Sequence, residues 1–414
     1  MSDWSENGGA SSPRPRVTGD RVRMLVVLHE ATLTGAPMNI LHFLRWLRVH
    51  EPVSIHTLVL TDGQLRPRFD EVGAVTVLDR HPLPSGLGVL QRGLQQMGSR
   101  HAWRPLAAAR MLPQMRRLGH FDLVWCNSLT SVSALRYLAH DGVVIAHVHE
   151  LEVAYRLWRV QHDIELFQTR PDRWIAASGS VGRMLIDEAR LPPDRVLVHH
   201  EFIDAQTIAS RPIDERAVAD ARKECRIPSD AAVVVGAGTV DWRKGPDLFV
   251  QLACEVRRRR RRPVHFVWVG GDLTSPDWER VRSDRDRAGA DHVHFVGTRP
   301  DPLPWYSMAD VFAITSREDP FPLVGLEASA LGIPVVTYRN GGMPELLESA
   351  GGEARLGIID HLDVGGMARR IGELLDSDSV RRETGSALQH QVLSTHDVSV
   401  AAPRLWADVV SLVR

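Results

Sequence analysis

The segment Thr315–Thr337, TSREDPFPLVGLEASALGIPVVT, carries the clearest structural signal in the chain. Thr315 closes an apolar strand, and Arg317, Glu318 and Asp319 follow in a loop. A helix opens near Pro322–Gly325, and Ile333–Thr337 reads as a second buried strand. Two apolar strands joined by a helix form a parallel βαβ unit. In an open α/β sheet, ligands sit just past the carboxyl ends of the strands. A helix N-terminus there offers unpaired N–H groups and partial positive charge, which suits phosphate. An acid in the loop, and Glu327 within the helix, can accept hydrogen bonds from hydroxyl groups. Amides for an anion beside two acids for hydroxyls predict a nucleoside diphosphate sugar as ligand.

The βα alternation extends in both directions from this segment. Upstream, strands are expected at Arg23–His29, Val53–Leu60, Ala74–Leu78, Phe121–Cys126, Val143–Val148, Trp174–Ala177 and Val196–His199. A helix is expected over 36–50 and helical sequence over 84–118, broken at Gly98 and Pro105. From about 204 to 230 polar and charged residues dominate. The pattern then restarts with strands at Ala232–Gly236, His265–Val269, His292–Val296, Val311–Thr315 and Val335–Thr337. The fold class is α/β: two doubly wound, Rossmann-like domains, 21–204 and 231–395, with a linker at 205–230. An amphipathic helix follows within 396–414. Residues 1–20 are polar and rich in Ser, Gly and Pro, and read as a disordered tail rather than a signal peptide.

Composition narrows the function classes. At 414 residues the chain is long enough for two domains with cores. A net charge of −1 implies no nucleic-acid partner. Cys126, Cys225 and Cys254 are too far apart for a disulfide framework or a zinc pattern, which fits a cytoplasmic protein. No apolar run approaches the ~20 residues of a membrane span. Arginines 92, 100, 104, 110, 116 and 117 punctuate apolar helical sequence, a pattern that fits peripheral contact with the inner membrane face. Lys223 and Lys244 are the only lysines in an arginine-rich chain. A site shaped for a compact ammonium rejects a planar guanidinium, so each lysine merits attention.

Lys244 stands in Ala237–Gly245, AGTVDWRKG, between an apolar strand and a helix. Arg243 and Lys244 open that helix, where cations are unfavourable unless an anion is bound. Charges opposing a diphosphate stabilise the leaving group as a sugar–phosphate bond breaks. Gly236-Ala-Gly238 begins like a dinucleotide fingerprint, but Asp241 replaces the third glycine, which opposes an NAD oxidoreductase. His147-Val-His149-Glu150 ends a strand, and no further metal ligand is evident beside it. Asp284-Arg-Asp286 and Asp376-Ser-Asp378 spell D-x-D far from any strand-end glycine loop and read as solvated surface.

Together these motifs resemble retaining glycosyltransferases of family 4, which have the two-domain GT-B fold. Asp319 to Glu327 matches the E-x7-E signature as D-x7-E, with Glu318 one position early. Either acid can fill the first place; the spacing selects Asp319, and Glu318 is then expected to face the surface or pair with an arginine. Gly238, Lys244 and Gly245 match the G-R-L…K-G motif, whose arginine falls on Thr239, leaving Arg243 to substitute. The resemblance implies an acceptor-side first domain, a donor-binding second domain and a last helix that crosses back to the first. It places Lys244 and Arg243 on the diphosphate and His149 near the reacting sugar. Gly35 then faces the diphosphate across the cleft, and Gly297 reads the base. Phe321, Pro322, Leu323 and Val324 join Glu327 around the donor. His147 and Asn127 are expected on the acceptor side. The implied function is metal-independent, retaining transfer from a UDP- or GDP-sugar to a glycan, glycolipid or small-molecule acceptor, with no cofactor besides the co-substrate. The alternative is a nucleotide-sugar-binding protein or epimerase on the same fold.

Overall fold

The structure is a computed structural model that describes residues 21–78, 115, 117–138, 140, 142–160 and 164–413. The 1–20 tail, most of the helical stretch at 84–118 and the arginines at 92, 100, 104, 110 and 116 lie outside the described residues.

Two parallel sheets organise the chain. The first holds β1 (Val22–Leu28), β2 (Val53–Val59), β3 (Ala74–Val77), β4 (Leu123–Cys126), β5 (Val143–Val148), β6 (Arg173–Ala176) and β7 (Val196–Val198), in the order β3-β2-β1-β4-β5-β6-β7. The second holds β8 (Ala232–Ala237), β9 (Val264–Val269), β10 (Val293–Phe295), β11 (Val311–Ile314), β12 (Val335–Tyr338) and β13 (Ile358–Ile359), in the order β10-β9-β8-β11-β12-β13. Strand order reverses between β1 and β4 and between β8 and β11. Those reversals open a crevice at the carboxyl ends, because the connections leave in opposite directions there. The loops after β4, β8 and β11 carry Asn127, Lys244 and Asp319, and Gly35 opens the helix that follows β1.

The central strands form because each sheet is covered on both faces and these strands are nearly continuous apolar runs. Met24 to Leu28 are all buried, as are Val233 to Val235 and Val311 to Ile314. The terminal helix Val398–Val413 lays Leu405, Trp406 and Val409 into the same cluster as Phe43 and Leu44 of helix Gly35–His50, in the first domain. The chain therefore crosses between domains twice. The two crossings lie side by side: Ile203 N–H donates to His396 O at 3.1 Å, and Val398 N–H donates to Ile203 O at 2.8 Å.

The stretch 205–230, expected as a linker, is folded. Helices Ala205–Ser210 and Glu215–Glu224 are N-capped by Asp204 and Asp214. Ala205, Ala221, Cys225 and Ile227 pack into the second domain's core. The polar composition reflects the outer faces of these helices. Strand β13, at two residues, is too short to show in an apolar pattern.

Second-domain carboxylates meet first-domain helices. Glu345 accepts from Gly179 N–H at 3.1 Å and Ser180 N–H at 3.2 Å, at the start of helix Gly179–Asp187. It also bonds His200 Nε2 at 2.7 Å. These contacts hold the two sheets' carboxyl ends toward each other.

Candidate active site

The loop after β8 is shaped around Lys244. Gly238 has φ +150°, and a Cβ there would come within 3.1 Å of Lys244 Cγ, so the bare backbone lets the lysine stem lie across it. Asp241 Oδ1 accepts the Lys244 backbone N–H at 3.1 Å, and its other oxygen accepts from Thr239 Oγ1 at 2.5 Å. The acid at the third position of the glycine pattern thus ties this loop. At Gly245, φ is +67° and a Cβ would meet Thr315 O at 2.2 Å, so glycine alone fits. Lys244 Nζ then reaches Asp319 Oδ2 at 2.6 Å. Arg243 contributes through its backbone: its carbonyl accepts from Arg317 N–H at 2.6 Å and Glu318 N–H at 3.3 Å. Its guanidinium is partly exposed and comes no closer than 3.9 Å to Asp241.

The acid loop after β11 separates its two carboxylates. Asp319 is buried, and its Oδ2 also accepts from Ser316 Oγ at 3.1 Å. Glu318 neither faces the surface nor pairs with an arginine, which corrects the expectation above. It is 7% exposed and crosses to the first domain, where Oε1 accepts from Val153 N–H at 2.7 Å at the start of helix Glu152–Arg159. Among the described residues its Oε2 has no hydrogen-bond partner. Burial raises the Glu318 pKa, opposed by the amides of Val153 and Ala154. Alternation along the extended loop does send the neighbours opposite ways, but the side opposite Asp319 is the other domain.

Among the described residues helix Leu323–Ala330, with Pro322 at its N-cap, has no side-chain cap; Gly325 N–H donates to Pro322 O at 3.0 Å, and the amides of Leu323 and Val324 are left for a ligand. Leu323 faces Gly35, where an added Cβ would stand 3.9 Å from Leu323 Cγ across the cleft. Phe321 is buried between His200 and His396, with ring centroids 5.3 and 5.1 Å away, so it packs the domain junction. Val324 is half-buried. Glu327 lies within the helix, and burial alone pushes its pKa up to about 7. Among the described residues no hydrogen bond reaches its carboxylate. Gly297, at φ +71°, accepts from Gly270 N–H at 2.8 Å beyond the ends of β9 and β10.

On the first domain, β5 delivers His149 to the cleft. Nδ1 is 2.5 Å from Glu201 Oε1 and Nε2 is 3.3 Å from Asn127 Oδ1. Burial opposes charge on this imidazole, but the Glu201 and Glu150 carboxylates outweigh it and raise the pKa. His147, in turn, is held neutral by burial and by its neighbours His149 and His199. Its ring lies 4.0 Å from that of His149 and edge-on to Trp125 at 5.5 Å. His147 and Asn127 are each 2% exposed, so neither presents a surface to an acceptor; they back His149 instead. Ligand-type atoms of His147, His149 and Glu201 fall within 4.8 Å of one another. Both nitrogens of His149 are already engaged in hydrogen bonds, so the trio is not a ready cation site. Asp284, Asp286, Asp376 and Asp378 are exposed, as expected of surface D-x-D segments.

Beside this machinery a cavity of about 560 Å³ opens between the domains. Leu151, Glu152 and Arg156 bound it on one side, and Trp242, Glu318 and Asn340 on the other. Lys244, Asp319 and Glu327 do not line it. Glu318, which does line it, is the chain neighbour of Asp319, so the cavity opens one residue from the Lys244–Asp319 pair.

Comparison with known proteins agrees with this geometry. Residues 53–207 match the family described as Glycosyltransferase Family 4, and residues 231–377 match Glycosyl transferases group 1. The chain belongs to glycosyltransferase family 4. As a family 4 chain with two doubly wound domains, it has the GT-B fold. The D-inositol 3-phosphate glycosyltransferase of Acidothermus cellulolyticus is 33% identical over 213 residues, covering 50% of this chain and 46% of that protein. The GDP-mannose-dependent alpha-(1-6)-phosphatidylinositol monomannoside mannosyltransferase of Mycolicibacterium smegmatis is 29% identical over 329 residues, 73% of this chain and 79% of that one. The chain spans about half the length of the first curated relatives it matches. The crystal structure of Anabaena Alr3699/HepE in complex with UDP and glucose superposes with a TM-score of 0.75 at 17% identity, over 94% of this chain and 100% of that one. That likeness concerns the fold. Among the described residues no helix is long and apolar enough to cross a membrane.

Proposed function

We propose that this family 4 protein transfers a sugar from a UDP- or GDP-sugar to a hydroxyl acceptor, with retention at the anomeric carbon and without a metal. The observation that carries the reading is the Lys244–Asp319 pair beneath the uncapped N-terminus of helix Leu323–Ala330. The ammonium and the helix amides suit the diphosphate, whose charge grows as the sugar leaves. Asp319 suits a sugar hydroxyl and Glu327 the ribose. His149 stands at the β5 end for the sugar's far side. The names of relatives support both bases, since one is GDP-mannose-dependent and a structural neighbour binds UDP.

In the proposed step, the acceptor oxygen attacks the anomeric carbon on the face the diphosphate leaves. The carbon–phosphate-oxygen bond breaks as the new glycosidic bond forms. The departing phosphate oxygen takes the acceptor proton, and the nucleoside diphosphate is released. The retained face follows because both events share one side. The cavity beside Glu318 provides room for a glycan, glycolipid or small-molecule acceptor. A panel of UDP- and GDP-sugars tests the reading through thermal stabilisation and slow donor hydrolysis. One donor should both stabilise the protein and release its diphosphate. Conversion to an isomeric sugar without transfer would favour an epimerase instead.

A further inference from the structure

Glu201 belongs to no motif in the sequence, yet it is the partner of His149. It lies in the first crossing between domains, 52 residues from His149, and is 4% exposed. We infer that Glu201 is a positioning residue that keeps His149 doubly protonated, so that His149 works as a fixed cation and hydrogen-bond donor and never as a proton acceptor. The inference deepens the proposed transfer reaction and rests on that reading for its catalytic meaning.

The protonation follows from the hydrogen-bond directions. Asn127 Nδ2 donates to Ala36 O at 2.9 Å, and Trp125 Nε1–H points to Asn127 Oδ1 at 3.4 Å. Reversing the amide would set an oxygen against the Ala36 carbonyl and an NH₂ against the indole N–H. The amide orientation is therefore fixed, with Oδ1 toward His149 Nε2. Nε2 must carry a proton to donate there. On the other side, Nδ1 and Glu201 Oε1 share a proton over 2.5 Å. That proton belongs on the imidazole, because burial disfavours its charge but the Glu201 and Glu150 carboxylates prevail and raise its pKa. Both ring nitrogens are then donors, and the ring is an imidazolium.

The surroundings agree. Glu201 Oε2 is buried without a partner, so His149 is the only group its side chain serves among the described residues. A half-satisfied buried carboxylate is costly unless a charge compensates it. From its own loop, Glu150 accepts the His149 backbone N–H at 2.9 Å; burial raises the Glu150 pKa, opposed by His149 and by the amides of His149 and Leu129. Arg243 of the second domain acts on Glu150 in turn. His147, packed against the ring from the same strand, is neutral and adds no repulsion. The 3.3 Å bond to Asn127 is long for a charged donor, which leaves Nε2–H able to exchange Asn127 for a donor-sugar hydroxyl or phosphate oxygen. An imidazolium with no lone pair cannot take the acceptor proton, which accords with the departing phosphate taking it.

The test is ¹⁵N NMR of histidine-labelled full-length protein, with His149 assigned by its loss in a His149→Asn variant. In the native protein, both His149 nitrogens should show protonated signals at neutral pH, and one of them should lose its proton only at higher pH. In Glu201→Gln, one nitrogen should be unprotonated at neutral pH, and the alkaline limb of donor hydrolysis should move to lower pH. Glu201→Asp, which keeps the charge, should restore much of the native profile. A singly protonated His149 in the native protein would overturn the inference. So would a Glu201→Gln variant that loses activity while His149 and the alkaline limb stay unchanged, the mark of a structural role. If no UDP- or GDP-sugar is consumed at all, the transfer reading fails, while the NMR signals still decide the state of His149.

Discussion

Lys244 Nζ stands 2.6 Å from Asp319 Oδ2, so the cation offered to a diphosphate is held by the acid offered to the sugar. Each neutralises the other until a donor separates their tasks. Lys244 is partly exposed while Asp319 is buried, so the lysine can reach an incoming phosphate while the acid stays in place. Asp319→Asn releases the lysine from its competing carboxylate. The variant should bind the free nucleoside diphosphate as tightly as the native protein or more tightly, while its transfer rate falls strongly. Calorimetry with the diphosphate and kinetics with an active donor check both halves. Weakened diphosphate binding would place Asp319 on the wrong part of the ligand. Glu318→Gln keeps an oxygen for Val153 N–H and should be mild by comparison.

Glu327 links nucleotide binding to pH. Burial raises its pKa to about 7, so in the empty folded protein the acid is about half protonated near neutrality. Its folded pKa exceeds that of an unfolded carboxyl group, so folding gains from this group at low pH and loses that gain as pH rises through about 7. Ribose hydroxyls donating to the carboxylate reverse the preference. Binding should therefore release a proton and strengthen as pH rises through that range. Glu327→Gln should abolish this proton release and weaken nucleotide binding by about 1–3 kcal/mol. Calorimetry in two buffers of different ionisation enthalpy reads the proton directly; equal release from native and variant protein would remove Glu327 from the site.

The Glu345 clasp ties the domains together. Burial opposes its charge, but His200 and the amides of Gly179 and Ser180 prevail and lower its pKa. Stability from this depressed carboxyl group is present above the ordinary carboxylate range and is lost as pH falls through its folded value. Glu345→Ala should widen the particle in small-angle scattering at neutral pH without loss of secondary structure by circular dichroism. An unchanged scattering profile would show that other contacts set the closure.

Metal independence has its own check. The acids of both D-x-D segments are exposed and do not line the cavity between the domains, and the nitrogens of His149 are engaged with Glu201 and Asn127. Chelation with EDTA should leave turnover in place. Activity lost on chelation and recovered with manganese would contradict the proposed mechanism.

The placement of the second domain's candidate residues was legible in the sequence because it is local. Gly238, Lys244, Asp319 and Glu327 each sit at a strand end or in the helix that follows, where chain direction and spacing fix their side. What the sequence hid depends on the other domain. Glu318 turns from the surface because Val153 waits there. Phe321 packs on His200 and His396, which only the double crossing brings near. Glu201 and Glu345 find partners 52 and 166 residues away, with no periodicity to announce them. The 205–230 stretch misled through its composition, since short capped helices with one packed face look polar overall.

If Lys244 stabilises a departing nucleoside diphosphate, removing its ammonium must slow diphosphate release. Diphosphate release from an active UDP- or GDP-sugar is followed with native protein and with Lys244→Ala, both in EDTA. The account predicts release by the native protein and a fall of about 10²–10³ in the variant, the loss typical of one charge-stabilising group. Circular dichroism should show both proteins equally folded. A folded Lys244→Ala variant that releases diphosphate at the native rate would contradict the account.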